Sequence, residues 1–244
     1  MDDRSWIPAD WPAPPQVRAG CSTRHGGQSQ GPYASLNLAQ HVGDDQMAVE
    51  NNRRALCDYL DLPSSPHWLR QVHGCAVSTD QSRLDEADAS LTRQTNQVCA
   101  VMTADCLPVL MTDRQGKEVA AVHAGWRGLV AGAITATAKQ FEADVEDLLV
   151  WLGPAIGPNA FEVGEDVFRA FVDEHDRYRE AFVPQAQNKW LLDIYTAARL
   201  QLQQLGIKEV YGGGFCTVEN NQQFFSYRRD GITGRMASLI WLAE

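Results

Sequence analysis

Residues 101–128 read VMTADCLPVLMTDRQGKEVAAVHAGWRG, two apolar runs joined by the polar turn DRQGK. Runs of this length bounded by turn residues read as buried strands, and the short polar link between them reads as a hairpin. Pairing residues 109–113 with 118–122 places Cys106 opposite residue 123 or 124, so a thiol and the imidazole of His123 meet at the open end of the hairpin. Pro108 cannot donate to a ladder and predicts an edge strand or a bend there.

Working outward, VRAGCSTR (17–24) reads as a first strand. The polar stretch HGGQSQGPYASLNLAQHVGDD (25–45) reads as a loop packed down by Tyr33, Leu36 and Leu38. Asp44 or Asp45 can cap a helix over about 46–60. HWLRQVHGCAVST (67–79) is strand-like with Gly74 as a bulge, and further strands fall at about 97–103, 107–112 and 118–123. Gly125 to Gly128 turns into a helix over about 129–142. LLVWLGPAIGP (148–158) is a strand ending in a turn, helices follow near 164–174 and 193–205, and YGGGFCT, FFSYRRDG and MASLIWLAE close the chain as strand, strand or turn, and strand. The elements mix without regular βαβ alternation, which predicts an α+β fold with mixed or antiparallel sheets flanked by helices. No linker or repeat divides the chain, so one domain over 1–244 is expected, with the proline-rich residues 1–16 as an N-terminal extension.

The composition is that of a soluble globular protein: 244 residues, 44% apolar and 21% charged. No apolar run reaches the length of a membrane span, and the acidic, proline-rich start is unlike a secretory signal. A net charge of −10 argues against nucleic-acid and anionic-membrane surfaces. Six cysteines with no CxxC pair and no export signal are expected as reduced thiols in the cytoplasm. Arginines 53, 54, 127, 228, 229 and 235 lie beside Gly-rich or polar turns, where a guanidinium fork suits an anion and a solvated surface charge is the alternative.

Cys106 and His123 admit two chemistries, a nucleophile activated by an imidazole or a thiolate and imidazole sharing a metal. His73, at the end of WLRQVH and before a glycine, is a third candidate ligand. One cysteine and two histidines with an open fourth position form the pattern of catalytic zinc. The other reading is a buried small thiol and two histidines satisfied in the core or at the surface.

TADCLPVLM, AAVHAGWRG, WLRQVHG and FFSYRRDGITGRMA, together with STRHGG, SLNLAQHVGDD and ENNRRAL, resemble the YfiH-like laccase-domain family, also called the multicopper polyphenol oxidase or purine nucleoside phosphorylase family. The resemblance runs from about residue 17 to the end of the chain. It implies that His73, Cys106 and His123 bind zinc, with copper as the other metal to weigh. It implies phosphorolysis of adenosine, inosine, guanosine and methylthioadenosine, with adenosine deamination at the same site. Editing of cell-wall precursors, by cleaving an amide on a misloaded muramyl nucleotide, is the alternative activity, followed by phenol oxidation on copper and by a zinc-stabilised binding module. The deaminase signature HxE with PCxxC is absent from the sequence.

Among the neighbours, Asp105 is a candidate general acid or base, an orienter of a ligand histidine, or a turn residue. Arg53 and Arg127 suit an anionic co-substrate, Arg127 at the start of a helix. Asn37 and His41, with Ser22 and Arg24, are candidates to line the cleft from the early loop. Trp126, Tyr33 and Phe225 are candidates to stack on a base or to pack in the core. The expected partners are a small nucleoside and phosphate, and the chain is expected as a monomer or homodimer.

Overall fold

The computed structural model describes residues 1–243. Its frame is two sheets lying face to face. A five-stranded sheet runs in the order Trp6–Pro8, Val17–Ser22, Met236–Leu242, Val98–Thr103 and His67–Trp68. A six-stranded sheet runs Glu209–Gly212, Leu148–Leu152, Leu107–Asp113, Val119–Ala124, Ala89–Thr92 and Val77–Ser78. Both contain parallel and antiparallel pairs, and a small three-stranded sheet stands apart. The fold is mixed α+β.

The apolar runs are continuous because both faces of each central strand are covered. Val109 and Met111 pack toward the helices with Ala120 and Val122, whereas Leu110, Val119 and Ala121 point into the space between the sheets with Val101, Met236 and Ile240. On the outer side of the five-stranded sheet, Ala100, Met102 and Leu239 meet Leu56 of the helix Gln46–Leu60 and Leu36 and Leu38 of the early loop. That helix starts where Asp45 accepts the Ala48 amide. Burying a leucine-sized side chain contributes about 1.5–3 kcal/mol, so one slipped register would expose several such groups on both sides of a sheet.

Several local expectations are corrected. Residues 67–79 do not form one strand: His67–Trp68 and Val77–Ser78 pair in different sheets, and the intervening chain loops outward with His73 at φ +62°. The helix expected over 129–142 is two short ones, Trp126–Val130 and Ala133–Ala138, separated by Gly132 at φ +82°. FFSYRRDG carries a helical turn, Tyr227–Asp230, capped by the Ser226 side chain. Trp6–Pro8, within the proline-rich start, is an edge strand.

Pro108 lies in a central strand rather than at an edge or bend. Its carbonyl accepts the Gly153 amide at 2.9 Å. On the same side, where Pro108 has no N–H to offer, the Gly153 carbonyl takes the Tyr195 hydroxyl at 3.2 Å. The hairpin pairs Val109 with Val122 and Leu107 with Ala124. Position 106 therefore falls opposite Gly125, one residue past the expected 123 or 124.

Candidate metal centre

Three segments converge at the open end of the hairpin. Cys106 precedes the strand Leu107–Asp113, His123 lies near the end of Val119–Ala124, and His73 sits on the loop between the split strands. Their ligand atoms all lie within 4.8 Å of one another. Cys106 Sγ is 3.9 Å from His73 Nε2, and the two imidazoles meet edge to face with centroids 4.8 Å apart. His123 is buried, Cys106 half-buried and His73 exposed, so the group opens to solvent on one side. A Cβ at Gly125 would stand 2.9 Å from Cys106 Sγ and 3.2 Å from His73 Cδ2. Glycine is thus required by proximity to the ligands, since its φ of −64° suits any residue.

Asp88, which the sequence reading did not single out, organises the group. Its fully buried carboxylate takes His123 Nδ1 at 2.8 Å and the His73 amide at 2.9 Å on Oδ1. Oδ2 takes the Gly74 amide at 2.7 Å and the Val72 amide at 3.2 Å. Three successive N–H groups closing on one carboxylate explain why this segment is a loop and not a strand. The bond to Nδ1 leaves His123 Nε2 for a ligand role. The only sequence trace of Asp88 is its place before the short strand Ala89–Thr92, which pairs with the His123 strand.

Electrostatics favour the ligand form of the sulfur. Burial alone would push the Cys106 thiol up, but attraction and hydrogen bonding from His123, then His73, bring it down to about 6. Burial would likewise lower His123, and Cys106 and Asp88 together raise it to about 9. Asp88 is held below its ordinary value: burial opposes ionisation, and the His123 and Gly74 hydrogen bonds outweigh it.

Asp105 does not face a ligand histidine. At φ +91° it turns its carboxylate to the Thr217 hydroxyl at 2.6 Å and the Arg228 amide at 2.7 Å, tying the Cys106 turn to the 217–228 segment. Asn37 is fully buried with all its capacity engaged: Nδ2 donates to Ala39 O and Asp44, and Oδ1 accepts from Ala39 and Arg235 amides. Arg53 lies over the Trp68 ring at 4.2 Å and bonds Leu38 O. His41 is exposed on the same loop, its pKa lowered by burial and then by Arg235 and Arg53. Arg127 is exposed and rests on Trp126 at 4.3 Å. Ser22 and Arg24 serve the fold, Ser22 accepting the Ala237 amide and Arg24 holding Ala34 O and Asn221 O. Phe225 is buried between the sheets, and the Tyr33 hydroxyl donates to Val42 O.

A mixed α+β frame that brings one cysteine and two histidines together at a solvent-open corner defines a protein with a candidate Cys–His–His metal centre. The chain belongs to the family described as multi-copper polyphenol oxidoreductase laccase, which matches residues 18–243. It is similar to the "Purine nucleoside phosphorylase PA4543" of Pseudomonas aeruginosa, 52% identical over 242 residues covering 98% of this chain and 99% of that one. To the "Purine nucleoside phosphorylase YfiH" of Escherichia coli K12 it is 51% identical over 97% of this chain and 98% of that one. Among solved structures, Neisseria meningitidis protein NMB0706 superposes with a TM-score of 0.95 at 48% identity, covering 98% of this chain and all of that one.

The donor set fits a single borderline ion. One thiolate and two neutral imidazoles suit zinc, or copper of the one-cysteine type. His25, His41, His67 and His175 do not join a second group of metal-holding residues among those described, so the arrangement does not fit a multicopper cluster.

Proposed function

We propose that the chain is a zinc-dependent purine nucleoside phosphorylase acting on adenosine, inosine, guanosine and methylthioadenosine. The observation that carries the reading is the convergence of His73, Cys106 and His123 within 4.8 Å at a solvent-open corner. Relatives about half identical over nearly the whole chain bear the phosphorylase name, which supports it. Zinc, when bound, supplies positive charge and an open coordination position.

The chain's own residues do the rest. Asp88 holds His123 and the His73 loop in ligand geometry, so no reorganisation is needed when substrate arrives. Arg53 and Arg127 are assigned to the anionic co-substrate, holding phosphate against the ribose carbon as the glycosidic bond breaks. His41, its pKa lowered by burial and then by Arg235 and Arg53, is assigned to a substrate hydroxyl, and Asn37 to shaping the loop that carries it. Asp105 acts as a positioning residue for Cys106. Adenosine deamination at the same site is a second activity of the proposed enzyme. All six cysteines stand as free thiols, which supports a reducing, cytoplasmic setting. No helix among the described residues is long and apolar enough to cross a membrane. The working unit is taken as a monomer or homodimer.

The deciding experiment is product analysis by chromatography and mass spectrometry after incubating zinc-quantified protein with adenosine, with and without phosphate. Adenine and ribose 1-phosphate that appear only with phosphate establish phosphorolysis, and inosine reports deamination. No turnover by the zinc-loaded protein sinks the reading and directs the assay to a muramyl nucleotide carrying the wrong amino acid.

A further inference from the structure

Four helices stop at one cleft of about 730 Å³, whose walls include none of the residues assigned above to the metal centre or to substrate. Trp126–Val130 ends at Ala131, Ala133–Ala138 at Lys139, Glu165–Val172 at Asp173 and Ile194–Leu205 at Gly206. Their last turns line the cleft through Ala131, Lys139, Phe171 and Leu205. The C-terminal end of a helix leaves carbonyl oxygens without an intrahelical donor and is the negative pole of that helix. Four such ends around a volume that suits a small molecule favour a positively charged occupant.

The floor has the same bias. Gln201 lines the cleft and is 9% exposed. Its Nε2 donates to the Leu129 carbonyl at 3.0 Å, while its Oε1 meets no donor. A buried amide oxygen left in that state costs free energy until a hydrogen is supplied to it. Around it the lining is apolar and aromatic: Leu129 and Phe171 are buried, and the Phe171 and Tyr178 rings meet edge to face with centroids 5.3 Å apart.

The rim adds a free carboxylate. Arg169 pairs with Glu165 and Arg179 with Asp176, which leaves Glu174 without an ion pair among the described residues. His175 accepts the Arg177 amide on Nδ1 at 3.1 Å, so its ring carries no net charge. Lys139, exposed at the rim, is then the one cation among the lining residues. An anion finds no buried positive donor here. A hard metal ion finds too few oxygens on an aromatic floor, since it needs about six or more.

We propose that this cleft is a second ligand site, built for an organic ammonium ion with an apolar body, an arylalkyl or alkyl amine. Its N–H groups supply the donors that Gln201 and the helix ends lack, and Glu174 supplies the counter-charge. The body lies against Leu129, Phe171 and Tyr178, where the ring faces attract a cation as well as bury carbon.

The test is calorimetric binding of phenethylamine to the zinc-loaded full chain, with 2-phenylethanol and phenylacetate as neutral and anionic probes of similar shape. The amine should bind at least about 10-fold more tightly than either. Glu174→Gln should weaken it about 2- to 5-fold and Lys139→Gln should strengthen it by a similar factor, as expected for single charges at an exposed rim. Gln201→Leu should weaken it about 10-fold. Gln201 also braces the Leu129 carbonyl, so Ala136→Phe, which fills the cleft from its half-buried wall, keeps the test valid if Gln201→Leu misfolds; it should abolish binding. Amine binding should persist in Cys106→Ala, because an amine seated on the metal would be lost there, and that loss would overturn the site. Equal binding of the alcohol, preference for phenylacetate, binding untouched by Ala136→Phe, or no binding of any probe would overturn it too.

Discussion

His123 donates from Nδ1 to Asp88 Oδ1 at 2.8 Å, and the same oxygen accepts the backbone amide of His73 at 2.9 Å. One buried carboxylate thereby sets the ring of one metal-ligand candidate and the backbone of another. Asp88→Asn keeps the size but replaces one acceptor with an NH2 group aimed at N–H donors. We expect zinc affinity to fall about 10- to 100-fold, as for other partners of ligating histidines. Stability should drop by about 2 kcal/mol from the unpaired buried groups. Chelator competition and urea unfolding read the two effects separately, and unchanged zinc retention would remove the role given to Asp88.

Gly125 tests whether the corner is built around the sulfur. The methyl of Gly125→Ala would stand 2.9 Å from Cys106 Sγ, so the sulfur or the turn must move. The backbone accommodates alanine, and overpacking of this kind costs about 1–3 kcal/mol. The expected variant is folded with strongly reduced zinc occupancy, approaching the loss expected of Cys106→Ala, which removes one of the three candidate ligands. Full occupancy by metal analysis would show that the site tolerates the displacement and that Gly125 is there for another reason.

Much of this architecture is legible in the chain because both faces of the central strands are buried. Continuous apolar runs then mark Val98–Thr103, Leu107–Asp113 and Val119–Ala124 with little ambiguity, and the pair Asp44 and Asp45 marks the start of the helix that Asp45 caps. The convergence of Cys106 with His123 follows from the hairpin. What stays hidden depends on distant partners. Residues 67–79 alternate like a strand, yet Asp88 captures three of their amides and bends them into a loop. Pro108 reads as an edge residue because its compensation comes from Tyr195, far away in sequence. Asp88 carries no local pattern that distinguishes it from a surface charge.

Asn52 lies inside ENNRRAL and binds the early loop to its helix. It accepts the Gln28 amide at 2.7 Å and donates to Ser29 Oγ, Ser35 O and Asn37 O. Asn52→Ala leaves those buried partners unpaired, at a cost of about 1–3 kcal/mol for each group that water cannot reach. We expect urea stability to fall by about 3 kcal/mol and limited proteolysis to begin within residues 25–37. A loop that remains resistant would mean that the Asn37–Asp44 and Arg24–Ala34 bonds suffice to hold it.

Alkaline pH should weaken the fold through two thiols remote in role from the metal group. Burial pushes Cys21 and Cys99 up to about 12, against an ordinary value of 9.0. Above pH 9 the unfolded chain releases these protons while the folded chain keeps them, so stability falls as pH rises from 9 toward 12. At pH 10.5 the loss is about 2 kcal/mol per thiol, from a gap of about 1.5 pH units. Alanine at both positions lowers stability at pH 8 by opening small cavities, yet removes the titrating groups. The urea midpoint of the double variant should therefore change less between pH 8 and 10.5 than that of the wild type. Parallel declines in the two proteins would place the alkaline sensitivity in other groups, with the buried hydroxyl of Tyr195 next to be examined.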